Sequence, residues 1–265
     1  MTDERILARY AAARTIAADS GALALDYFRH LDSLVIDQKG HQDFVSQADK
    51  NVELAVRAAL NKAFPEDGIV GEEGAAQPGT SGFTWVIDPI DGTTNFINAI
   101  PQWCVILACV FQGRTEIGVV HDPVHDEMCH ARRGAGAYCN DREIRCSTST
   151  SLSMGSLGVG FSGRTSANSI RRLIDGVLDE GGIFWRNGSG GLSLAYVAQG
   201  RLIGYCEAHM NSWDFLAGQL IVAEAGGRTQ STDADQALIN GGRVIVAAPG
   251  VFDAVRALAE TAFAD

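Results

Sequence analysis

Between Gly68 and Cys146 the chain changes periodicity several times, and this alternation limits the folds open to it. Short β-rich runs, Gly68–Val70, Phe83–Ile87, Trp103–Phe111, Thr115–His121, Glu127–Ala131 and Ile144–Cys146, are cut by turn pairs at Gln112-Gly113, Asp122-Pro123 and Asn140-Asp141. Runs this short with tight punctuation predict antiparallel meanders. Helical spacing precedes them, with Ile6, Leu7, Tyr10, Ala13, Ile16 and Ala17 marking a helix within 4–30 and a second helix predicted over 49–62 before Pro65. Beyond a Ser/Thr-rich stretch at Cys146–Ser156, which reads as a linker, strands and helices alternate. Strands are predicted at 156–161, 182–186, 201–207 and 243–248, and helices at 166–179, 190–199, 214–225 and 250–262, giving an α/β second half. The division that follows is an N-terminal α+β domain over 1–146 and a C-terminal α/β domain over 147–265.

Composition sets outer limits. A net charge of −11 argues against nucleic acid or an anionic membrane as the main partner. The segment MTDERILARY is no signal peptide, and no apolar run is long enough to span a membrane. The six cysteines form no C-x-x-C pair and are expected to be reduced and mostly buried, as in a cytoplasmic protein.

The chemistry is signalled by missing cations. From Ala63 to Gly113 there is no Lys or Arg, yet Glu66, Asp67, Glu72, Glu73, Asp88 and Asp91 fall there. Leu202–Gly227 repeats the pattern with Glu207, Asp214 and Glu224. Asp88 follows Trp85-Val86-Ile87 at the end of a strand expected to be buried, where an unpaired charge is very costly. A bound cation answers that cost, as does an arginine brought from elsewhere in the chain. In Asp88-Pro89-Ile90-Asp91-Gly92-Thr93-Thr94, Pro89 is expected to end the strand and Gly92 to reverse the chain. That reversal turns both acids toward one space and presents backbone N–H groups to an anion. Carboxylates and the Ile90 carbonyl are hard donors, suited to Mg²⁺ rather than Zn²⁺. Glu72 in Gly71-Glu72-Glu73-Gly74 is either a ligand or part of a solvated loop. Asp214 is a good helix N-cap by type, and Ser46-Gln47-Ala48-Asp49 fits a capping box.

Together, GEE at Gly71–Glu73, WVIDPIDGTTNF at Trp85–Phe96 and WDFLAGQLIVAEAGG at Trp213–Gly227 resemble the inositol monophosphatase family, in order and over nearly the whole chain. Weaker matches are Asp43–Asp49, Gly118–Asn140 and Gly188-Ser189. The resemblance implies a layered α/β/α/β/α sandwich, a homodimer, and lithium-sensitive, Mg²⁺-dependent hydrolysis of a small phosphate monoester, inositol monophosphate first among candidates. Two or three Mg²⁺ ions would be held by Glu72, Asp88, Ile90, Asp91 and Asp214. Asp49, Glu72 and Thr93 would be catalytic, with Thr93 orienting the attacking water, and Gly92 and Thr93 would bind phosphate. Asp91, Gly188, Ser189, Gly190 and Glu207 would meet the substrate. Relatives also act on fructose 1,6-bisphosphate, nucleotide 3′-phosphates, histidinol phosphate or NADP, and some carry a regulatory binding role. Gly190-Gly191, where many members have Ala-Ala, and Asn211, often His, set this chain apart. An aspartyl-phosphate phosphatase needs D-x-D-x-T, and the spacing here is D-x-x-D.

Overall fold

The computed structural model describes residues 4–40 and 43–264. The chain opens with α1 (Glu4–Arg29), a hairpin of β1 (Ile36–Gly40) and β2 (Asp43–Ser46), and α2 (Gln47–Ala63). A seven-stranded sheet follows in sequential order: β3 (Gly68–Gly71), β4 (Phe83–Asp91), β5 (Cys104–Phe111), β6 (Arg114–Asp122), β7 (Glu127–Arg132), β8 (Ala137–Cys139) and β9 (Arg142–Glu143). A short helix, α3 (Thr93–Ile97), interrupts it after β4. The remaining elements are β10 (Ser156–Val159), α4 (Ala167–Asp179), β11 (Ile183–Trp185), α5 (Gly190–Ala198), β12 (Gly204–Met210), α6 (Ser212–Glu224), β13 (Arg228–Thr229), α7 (Ala234–Asn240), β14 (Gly242–Ala247) and α8 (Phe252–Ala262). Their strands form a second sheet in the order β11-β10-β12-β14-β13.

Three apolar clusters show how the layers stack. Ala13, Ile16, Val52 and Val56 of α1 and α2 pack on Trp85, Ile87, Val105 and Leu107 of the large sheet. The opposite face of that sheet, with Val86, Ile106 and Val120, meets Leu194, Leu216 and Ile221 of α5 and α6, which in turn cover Tyr205, Val244 and Val246 of the small sheet. Leu173, Val177, Val255 and Ala259 of α4 and α8 close the far face. The result is the five-layer α/β/α/β/α arrangement.

The cause of the middle layer is visible in α6. Residues Phe215–Val222 are all buried, so the helix has no polar face and must lie between two apolar surfaces. Close approach requires Gly118 on β6, where a Cβ would stand 2.6 Å from the Ala217 carbonyl oxygen.

Several sequence expectations need correction. The strand ending in Ile87 runs on to Asp91, and Pro89 does not stop it. A register shift between Asp88 and Asp91 drops the proline out of the ladder with β5, so its missing N–H costs no hydrogen bond. The meander is not wholly antiparallel, because β3 pairs parallel to β4. Ile144–Cys146 is no strand; Ala137–Cys139 and Arg142–Glu143 are the sheet's last two. Asp214 is not the N-cap of its helix. Asn211 holds that place, and Asp214, three residues on, accepts the Asn211 N–H at 2.9 Å. Both β13 and α7 lay in a stretch without strong periodicity. The cysteines are free thiols, five of them buried.

One buried polar group behind the large sheet has a testable consequence. His130 Nδ1 lies 2.6 Å from the Tyr10 hydroxyl, and its Nε2 lies 3.0 Å from the Asn140 carbonyl oxygen, to which it donates. Burial, helped by the nearby Arg14 cation, pushes its pKa down to about 4. Because the folded value lies below the unfolded one, its contribution to stability is complete above about pH 6.5. It is lost as pH falls through about 4. Between pH 7 and pH 4 the melting temperature of His130→Gln should therefore gain on that of the parent in the same buffer; a constant difference between the two would remove His130 from the account.

Candidate active site

A cavity of about 220 Å³ opens where the carboxyl-side ends of β4 and β12 meet the N-termini of α3, α5 and α6. Glu72, Asp88, Ile90, Asp91, Gly92, Thr93, Gly188, Ser189, Gly190, Glu207 and Asp214 line it. Of the predicted site residues only Asp49 lies outside the lining. It stands one shell behind, with Oδ1 at 3.1 Å from the Thr93 hydroxyl.

Each acid is placed by local chemistry. The β4 irregularity lets Asp88 Oδ1 accept the Ile90 N–H at 3.0 Å, an Asx-type turn that brings Asp88 and Asp91 to the same cavity. Gly92 then adopts φ +95°, the left-handed conformation that favours glycine, and caps α3. Asp91 is gripped by the start of α5: its Oδ2 accepts from the Ser189 hydroxyl and from the Gly191 N–H at 2.6 Å. Ser189 is itself the N-cap of that helix. Asp49 and Asp214 share one device. Each is the third residue of its helix and accepts the N–H of its own cap, Ser46 at 2.8 Å and Asn211 at 2.9 Å. Capping leaves Asp214 at the cavity and Asp49 against the Thr93 hydroxyl.

Acids outnumber cations at the cavity, where Arg164 offsets part of the rise at Asp214. Among the described residues no Lys or Arg forms an ion pair with Asp88, Asp91 or Asp214, while Arg9 and Arg57 pair with Asp67 and Glu53 elsewhere. Burial lifts the Asp88 carboxyl well above its ordinary pKa, and the neighbouring charges of Glu72, Asp91 and Asp214 lift it further. Asp214 is raised by burial and then by Asp91. Asp91 is raised by burial against the opposing pull of Ser189 and Gly191. Glu207, which accepts from the Tyr205 hydroxyl at 2.6 Å, is pushed up to about 7, chiefly by burial.

Carboxylates and a main-chain carbonyl, without an imidazole or thiol among the described lining residues, form a hard-oxygen set that fits Mg²⁺. Among the described residues no three of these acids are gathered around one point; they line the cavity wall.

Other lining residues were not singled out from sequence. Tyr205 sits two positions before Glu207 on β12 and so shares its face, an alternation that could have identified it. Arg164 and Arg186 also reach the cavity from loops, where isolated arginines carry no pattern. Asn95 braces the Gly188 turn, donating to the Gln102 and Asn187 carbonyls at 2.6 and 2.7 Å.

Comparison with known proteins agrees with this geometry. Residues 7–262 match the inositol monophosphatase family. The Escherichia coli K12 Nus factor SuhB is 36% identical over 244 residues, spanning 91% of each chain. An inositol-1-monophosphatase of Rhizobium meliloti is 41% identical over 217 residues, 81% of this chain and 80% of that one. The crystal structure of the extragenic suppressor protein suhB from Bartonella henselae superposes with a TM-score of 0.87 at 32% identity, covering 93% of this chain and 96% of the other.

Proposed function

The chain belongs to the inositol monophosphatase family, and we propose that it is a cytoplasmic, Mg²⁺-dependent phosphatase acting on a small phosphate monoester, inositol monophosphate foremost. The observation that carries this reading is the set of four carboxylates, Glu72, Asp88, Asp91 and Asp214, drawn from three separate segments into one cavity, with no ion pair to any of the three aspartates among the described residues.

Glu72, Asp88, Asp91, Asp214 and the Ile90 carbonyl would hold Mg²⁺, which supplies neutralisation of the phosphoryl oxygens and activation of water. The chain's own groups do the positioning. Gly92 and Thr93, at the head of α3, line the cavity, and their backbone N–H groups would suit phosphate oxygens. The Thr93 hydroxyl lies 3.1 Å from both Asp49 Oδ1 and the Ile90 carbonyl oxygen, so it donates to one of them. Its oxygen is thereby left to accept a proton of the attacking water and aim it at phosphorus. Glu207 stands across the cavity to accept from a substrate hydroxyl, and Gly188, Ser189 and Gly190 form the wall beside it. Positioning and electrostatics of this kind supply most of the catalysis in phosphoryl transfer.

Inorganic phosphate release from inositol 1-phosphate tests the reading, with fructose 1,6-bisphosphate and NADP as comparison substrates. Release should require Mg²⁺, stop in EDTA and fall with millimolar Li⁺ but not K⁺. Solvent ¹⁸O should enter phosphate in a single turnover; a phosphate trapped on Asp88 would sink direct attack by water. Relatives named Nus factor support a second reading, an added binding role in a regulatory assembly. That role and catalysis are compatible, and retention of phosphatase activity by the purified chain separates an enzyme from a pure binder.

A further inference from the structure

Glu53 is an acid that neither its sequence context nor the cavity lining brings to notice, yet it is 2% exposed in the middle of α2. Its carboxylate is wrapped by the loop that carries Glu72. Oε2 accepts the Glu73 N–H at 2.8 Å, and Oε1 accepts the Gly74 N–H at 2.9 Å. Arg57, one helical turn on, donates its Nε to Glu53 Oε1 at 2.7 Å and its Nη2 to the Gly74 carbonyl oxygen at 3.1 Å. The glycines on either side of Glu72-Glu73 belong to the same device. A Cβ on Gly71 would fall 2.5 Å from Glu53 Oε1, and one on Gly74 would fall 2.8 Å from the same atom. On the other side, the Glu72 N–H is tied to the Ile87 carbonyl oxygen of β4 at 3.2 Å. The backbone around Glu72 is therefore held from two directions, and Glu72 itself lines the cavity.

We propose that Glu53 is a positioning residue, whose carboxylate, neutralised by Arg57, clamps the Gly71–Gly74 loop and holds Glu72 in place to bind Mg²⁺ beside Asp88. The inference deepens the metal reading above and rests on it. Outer groups that orient a ligand are worth roughly 10–100-fold in metal affinity. Glu53→Gln keeps the size of the side chain but turns an N–H₂ group toward one of the two loop N–H donors, so one clamp bond is lost. Because Glu53 acts through Glu72, its effect should vanish once Glu72 cannot ligate.

The experiment is calorimetric titration of Mg²⁺ into EDTA-stripped, dialysed protein, comparing the parent, Glu53→Gln, Glu72→Gln and the double variant. Glu53→Gln should weaken binding by roughly 10–100-fold, and the double variant should bind as Glu72→Gln does. Unchanged Mg²⁺ affinity in Glu53→Gln would overturn the proposal, and so would losses that multiply in the double variant, the result expected of a purely structural ion pair. A parent that binds no Mg²⁺ would overturn the metal reading itself, a different outcome from a parent that binds while Glu53→Gln binds equally well. If Glu53→Gln does not fold, Glu53→Asp serves in its place, keeping the charge beside Arg57 while drawing the carboxylate back from the loop, with the same weakening expected.

Discussion

Asp88→Asn should leave the metal-free protein at least as stable as its parent while abolishing most of its activity. In EDTA, Asp88 faces Glu72, Asp91 and Asp214 across a buried cavity, with no cation among the causes of its shift. Removing one of those like charges relieves repulsion, so the melting temperature in EDTA should stay level or rise. Mg²⁺ should then stabilise the variant less than the parent, since stabilisation by a ligand follows its affinity for the folded state. Activity should fall by more than the roughly 10–100-fold that follows loss of a group merely supporting a ligand. The pH dependence has a definite sign. A carboxyl whose folded pKa is raised favours the fold while protonated, and that contribution is lost as pH climbs from about 4 through the folded value. The parent in EDTA should therefore melt lower at pH 8 than at pH 5, with a shallower slope for Asp88→Asn. A large loss of stability for the variant in EDTA would contradict the cluster.

Asp67→Asn should do the opposite. Asp67 comes from the same cation-free stretch, but α1 carries Arg9 across to it. The guanidinium donates to both carboxylate oxygens at 2.8 and 2.6 Å, and Ser81 and the Trp85 indole add donors at 2.7 and 2.8 Å. Both partners are buried. Breaking such a pair strands the remaining charge and costs about 3–5 kcal/mol. The loss should be the same with Mg²⁺ and with EDTA, apart from the stabilisation that the metal gives any folded chain, and kinetic constants of the surviving folded protein should change little. Urea unfolding in both buffers measures it; a loss under about 1 kcal/mol would show that the four donors contribute far less than a buried pair should.

The contrast between Asp67 and Asp88 marks where a sequence stops being legible. Both are acids beside apolar strand residues, and local composition could not distinguish them, because the deciding partner, Arg9, lies 58 residues away from Asp67. Periodicity did reveal the long helices and most strands, since burial on one face imposes a repeat. It failed at β3, whose four residues carry no direction, and at Asp88–Asp91, where a bulge lets proline persist inside a strand. The site acids were visible because D-P-I-D-G-T and W-D are compact patterns. Glu53 was not, because an acid four residues before an arginine on a helix is the ordinary sign of a solvated pair. Only the path of a loop 20 residues downstream shows that its carboxylate faces inward.

The central layer also bears on how activity is gained during folding. Asp214 enters the cavity from the first turn of α6, and Ser189 and Gly191 reach Asp91 from the first turn of α5. Both helices bury their apolar sides against two sheets at once. Neither can settle until strands on both sides exist to receive it. The large sheet can pair its strands in sequence order from local contacts, whereas the cavity awaits the last and most distant ones. A refolding chain should thus regain sheet structure and tryptophan burial first, and turnover only as a later, separate event, so that catalysis reports completion of the molecule rather than of any part.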